Sequence, residues 1–160
     1  METNPYAPPL APVADDLVAE KAPPLWNPNA AACWSLVFTV AFGAWLHMRN
    51  WEALGETAKA ARSRLWLRVS LGVLLVWVVT DVLLGPAMPP AIDRVIGLAL
   101  LLSWYFGSAR EQARHVARHF GTAYPRQGWG RPIATAIGWI IGYMVIAIAI
   151  GIATDWLHDR

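Results

Sequence analysis

IATAIGWIIGYMVIAIAIGIAT, residues 133–154, decides the fold: it is a run of 22 residues without a charge. A helix needs about 20 mostly apolar residues to cross the hydrocarbon of a bilayer. Three more apolar blocks precede it, at residues 30–48, 65–84 and 91–108. The first has no charged residue and one histidine, His47. The middle two are weaker. Only 12 uncharged residues, 69–80, separate Arg68 from Asp81, and 15, 95–109, come after Asp93 and Arg94. Apolar runs of about 10–14 can be re-entrant or buried in a soluble core. Two features favour full crossings. Arg68 and Asp81 lie near the ends of a 20-residue segment, where a long basic side chain reaches the headgroups. The sequence Gly85-Pro86-Ala87-Met88-Pro89-Pro90 makes a compact turn between the blocks. The expected fold is all-α: a polytopic four-helix transmembrane bundle behind a Pro-rich N-terminal tail. Three spans plus a re-entrant hairpin is the second arrangement.

Composition agrees. The 160 residues are 56% hydrophobic and 15% charged, where a soluble domain carries about a quarter charged. The formal charge of +2 is too small to argue for nucleic acid. Of the 13 basic residues, five lie in or beside the first gap (Arg49, Lys59, Arg62, Arg64, Arg68). Five lie in the last (Arg110, Arg114, Arg118, Arg126, Arg131). Short loops rich in Lys and Arg stay cytoplasmic. That predicts loops 49–68 and 110–131 inside, with the N-terminal tail, the Gly-Pro turn and the C-terminus outside. No basic n-region precedes the first apolar run, so no cleavable signal peptide is expected. Cys33 is expected to be a packed thiol.

Residues 1–26 read as a flexible, Pro-rich, acidic tail unable to repay its ordering entropy. Asn27 can cap a helix, with Pro28 at its first position. Gly55 is a left-handed stop. Glu56 puts an acid at the next helix start. The third block should continue through residues 109–120, with Arg110, Arg114 and Arg118 on one face, until Gly121. Pro132 opens the last helix. Trp26, Trp51, Trp66, Trp104, Trp129 and Trp156 fall near span ends, where indoles favour the interface. Trp34, Trp45, Trp77 and Trp139 lie deeper.

Several constellations are candidates for function. Ala134, Gly138, Gly142, Ala149 and Ala153 share one face of the last helix. Gly138 and Gly142 form a GxxxG pair that lets backbones approach in lipid. Packing within the chain is the first reading of that face, and a homodimer seam the second. A small, polar stripe marks the first helix: Ala32, Ser35, Thr39, Gly43, His47 and Asn50. It should face protein, with His47 in an interhelical hydrogen bond before any ligand role. Asp81, Asp93, Arg94 and Asp155 gather at the outer helix ends, as an ion pair with Arg94 or as a cation vestibule. His115 and His119 are spaced for a metal, but Arg114 and Arg118 oppose a divalent ion. That helix reads better as a basic surface on anionic headgroups. No catalytic set, no metal site and no cofactor motif is found.

The stretch Asn27-Pro28-Asn29-Ala30-Ala31-Ala32-Cys33-Trp34-Ser35-Leu36, continued by Phe38–His47 and by Asn50-Trp51-Glu52-Ala53-Leu54-Gly55, resembles the N-terminal half of uncharacterised small membrane proteins of proteobacteria. That resemblance implies a bacterial inner membrane and brings no activity. Two function classes are expected. One is a non-enzymatic membrane protein acting on a protein partner, such as an immunity or accessory protein. The other is an oligomeric transporter or channel subunit. The expected partners are the lipid bilayer and either a protein or a second copy.

Overall fold

Asn27 opens the first helix as its sequence suggests: its side chain accepts from the backbone amides of Asn29 and Ala30, and Pro28 comes next. Gly55 (φ 74) and Gly121 (φ 55) terminate helices with positive φ, where a residue without Cβ avoids the usual penalty. The computed structural model describes residues 22–84 and 90–158. Every regular element among them is helical. The helices are α1 (Pro28–Ala53), α2 (Thr57–Leu84), α3 (Pro90–Trp104), a π-helical turn (Tyr105–Ala109), α4 (Arg110–Phe120) and α5 (Gly130–His158).

Four stretches are long and apolar enough to cross a membrane: Pro28–Ala53, Thr57–Thr80, Ala91–Phe120 and Gly130–Ala153. The first is not straight. Thr39 has φ 78 and ψ 164, a region that essentially only glycine occupies without strain. The chain reverses there. His47 Nε2 lies 3.2 Å from the Pro28 carbonyl oxygen, whereas a straight helix would separate these residues by roughly 28 Å. The rings of Trp26 and Trp45 are 6.3 Å apart. α1 is therefore a helical hairpin. Its limbs, residues 28–38 and 40–53, run about 16 and 21 Å, short of a ~30 Å hydrocarbon core. Block one, expected from sequence to be a single straight span, is thus folded back on itself. Hydropathy counts apolar residues and not chain direction, and Phe38-Thr39-Val40 contains no glycine or proline to announce a reversal.

The limbs hold together by close approach and by aromatic packing. A Cβ on Gly43 would collide with Ser35 Oγ and lie 2.6 Å from the Trp104 ring. Aromatic contacts then run along one side. Trp34–Phe38 is 5.5 Å, Phe38–Phe42 5.1 Å, and Phe42–Trp45 6.2 Å between centroids. α2 packs along the hairpin. The π-helical turn seats Trp104, fully buried, against Val40, Ala44 and Ala109.

The N-terminal flank departs from its expected role. Leu25 is fully buried with Ala22, Val116 and Tyr124. Its amide donates to Pro125 O (3.0 Å), and its carbonyl accepts from Gln127 N (2.9 Å). Residues 22–26 are thus fastened to the 121–131 loop by an apolar anchor. They lie at the same end of the molecule as that loop, not opposite it. The rest of the tail, the Gly-Pro turn, and the side chains of Asp81, Asp155, His158 and Asp159 lie outside the described residues.

α5 behaves differently. Pro132 and Ala136 are buried at its start. Beyond them, Trp139 is 77% exposed, and Ile141, Met144, Val145, Ile146, Ile148 and Ile152 are all exposed. Cys33 is exposed as well, because it points away from the hairpin's inner face. Trp51 and Trp104, expected near span ends, are fully buried within the protein.

Candidate functional site

The hairpin, the π-helical turn and α4 converge on a buried polar knot. Asn50 Oδ1 accepts from Trp26 N at 3.0 Å. Asn50 Nδ2 donates to Trp26 O at 2.8 Å and to Gln112 Oε1 at 3.1 Å. Gln112 Nε2 donates to the His47 carbonyl at 2.8 Å. Gln112 and His47 are fully buried, and Asn50 is 1% exposed. One knot therefore ties the N-terminal flank, the second limb of α1, and α4. Both oxygens and both nitrogens of the two amide side chains are used, which suits a lock and not a reactive centre.

His47 stands beside the knot, its ring edge-on to Trp104 at 5.3 Å. His47 Nδ1, Trp104 Nε1 and Ser63 Oγ are buried without a hydrogen-bond partner among the described residues. The π-helical turn explains how Trp104 reaches this place. The Arg110 amide bonds back to Tyr105 O, a wider i to i+5 step that rotates the downstream helix. α4 then turns Gln112 and Val116 inward while Arg110, Arg114 and Arg118 remain exposed.

Around the knot, charges pair at the surface. Arg62 meets Glu111 at 2.7 Å, and Arg64 meets Glu52 at 2.8 Å. Arg49–Glu52 and Lys59–Glu56 are looser, at 3.4 and 3.2 Å. Such exposed pairs contribute about 0–1 kcal/mol each. Lys59 also lies over the Trp51 ring at 4.7 Å, and Trp51 packs on His115 at 5.0 Å. Burial pushes the Tyr124 phenol above its ordinary pKa, against the opposing charge of Arg126. No family model, curated protein or solved structure matches the chain.

The structure disperses the residues expected from sequence. Ser35, Gly43, His47 and Asn50 are all buried, but in two places: Ser35 faces Gly43 across the reversal, while His47 and Asn50 meet Pro28 and Trp26 at the base of the hairpin. Thr39 is exposed at the reversal itself. Ser35 Oγ donates to Ala31 O at 3.1 Å. Gly138 and Gly142 meet nothing within 4 Å of an added Cβ among the described residues. Asp93 lines a cleft between α2 and α3, and Arg94 is exposed. No ion pair joins Asp93 to Arg94 among the described residues. His115 and His119 are neighbours, with ring centroids 4.4 Å apart. No group of three metal-holding side chains forms among the described residues.

Neither Gln112 nor Leu25 is among the residues expected from sequence. Gln112 carries a legible signal: with Val116 it occupies the face of α4 opposite the arginines. A glutamine on the inward face of an amphipathic helix needs a buried partner.

Proposed function

We propose that this chain is a non-enzymatic integral membrane protein that acts by binding another polypeptide within the bilayer, as an immunity or accessory protein does. The exposed small-residue face of α5 carries this reading. The head of the molecule (α1, α4 and the loop before α5) is tied by the knot and the Leu25 anchor. α5 leaves that head with Gly138 and Gly142 open. Small residues at such spacing admit a helix backbone in lipid. The basic residues clustered at the head favour a cytoplasmic head, with α2, α3 and α5 crossing a bacterial inner membrane. The described start of the chain then lies inside, and the end of α5 outside.

Co-purification from native membranes in lipid particles, with bound proteins identified by mass spectrometry, tests the proposal. A stoichiometric partner lost on Gly138→Ile/Gly142→Ile substitution is expected. Recovery of the chain alone as a monomer would overturn it. The second reading, an oligomeric transporter or channel subunit, is favoured by Asp93 on the wall of a membrane-level cleft. Self-assembly into a defined oligomer without another protein would support that reading instead.

A further inference from the structure

The cleft between α2 and α3 has a volume of about 410 Å³, within the range of small-molecule sites (roughly 300–1,000 Å³). Its walls are Val69, Gly72, Val73 and Val76 of α2 and Ile96 of α3, with Trp77, Thr80 and Asp93 completing it. The Thr80 hydroxyl is spent on its own helix, donating to Val76 O at 2.8 Å. Asp93 is then the one charged group among the described lining residues. It makes no ion pair with a described residue. Thr80 lies near the C-terminal end of α2 and Asp93 in the first turn of α3, and both line the cleft. From there the apolar wall runs toward Val69 for roughly 16 Å at 1.5 Å per residue.

We propose that this cleft binds a lipophilic monocation, an alkyl- or arylammonium or phosphonium ion, entering from the bilayer. Asp93, half-buried in the first turn of α3, presents a negative charge to the cleft that a cationic ligand complements. Trp77 supplies the second recognition element, because an indole face attracts a diffuse cation. The valine and isoleucine walls take the apolar body. A neutral amphiphile gains no charge attraction from Asp93, and an anionic one is repelled by it. The site lies away from α5 and does not depend on α5 having a partner.

The test uses the full chain in nanodiscs of zwitterionic lipid, with empty nanodiscs as background. Radiolabelled tetraphenylphosphonium is measured by equilibrium dialysis. Saturable binding near one per chain is expected. Asp93→Asn should weaken it by about tenfold or more, Asp93→Glu should retain it, and Trp77→Leu should weaken it less than Asp93→Asn does. Dodecyltrimethylammonium should displace the probe, and dodecanol should not. The head provides a folding control, since no residue of its knot lines the cleft: the melting temperature of Asp93→Asn should match that of the parent. Equal binding by Asp93→Asn, or equal displacement by dodecanol, overturns the proposal. Either result leaves the α5 co-purification outcome untouched.

Discussion

Asn50 concentrates more structure than any other polar residue of the head. Its three hydrogen bonds join its own helix to Trp26 and Gln112, across 24 and 62 residues of chain. Replacing it by leucine conserves shape but strands the Trp26 amide, the Trp26 carbonyl and the side-chain oxygen of Gln112. A buried polar group left without a partner costs about 1–3 kcal/mol. Asn50→Leu should therefore lower the thermal midpoint clearly, and Gln112→Met should do so as well. The double variant should lose less than the sum, because each substitution removes a group that the other orphans. Melting of all four proteins in one lipid or detergent checks this, and strict additivity would mean the two side chains do not share a knot. His47 belongs to the same surroundings by a single side-chain bond to Pro28. Its burial results from the hairpin, and the ring fills space against Trp104.

At the scale of elements, α1 decides the topology. If it is a hairpin, Asn29 and Glu52 lie on one side of the membrane; if it crosses, they lie on opposite sides. Both are exposed, so single cysteines there, in a chain whose Cys33 is replaced by alanine, can be labelled with an impermeant maleimide. Labelling of Asn29→Cys, Glu52→Cys and Gln127→Cys from one and the same side is the expected result. Opposite-side labelling of the first two would refute the reversal. Much of the helical plan is legible in the sequence. Asn27-Pro28, Gly55 and Gly121 act through local backbone chemistry, which a sequence displays directly. The continuation of block three into α4 is legible from the arginine spacing. The reversal at Thr39 is not, because a threonine at positive φ is held by tertiary packing: Gly43 against Ser35 and Trp104, and the aromatic row from Trp34 to Trp45. The polar residues Ser35, His47 and Asn50 are recognisable as inward-facing, while the partners each one finds depend on the turn. Leu25 is hidden for a related reason. A single apolar residue between Pro24 and Trp26 has no period, and its anchor is a loop about a hundred residues away.

Across the whole molecule, stability and association are separated. The head holds the buried clusters, the knot and the ion pairs, while α5 joins it chiefly through Pro132 and Ala136. A substitution that fills the Gly138 face therefore starts in open space. Gly138→Ile/Gly142→Ile should leave the melting temperature of the isolated protein unchanged, or raise it slightly, since glycine in a helix interior is less favourable than other apolar residues by up to about 1 kcal/mol. The same pair should abolish recovery of the partner, because a branched side chain at each position holds a second backbone away. Measured together on one preparation, the two readouts distinguish an interface from a structural seam. A large fall in melting temperature would place the GxxxG face inside the fold of a single chain. An unchanged melting temperature with unchanged partner recovery would exclude that face from recognition and leave the α2–α3 cleft as the membrane-facing site.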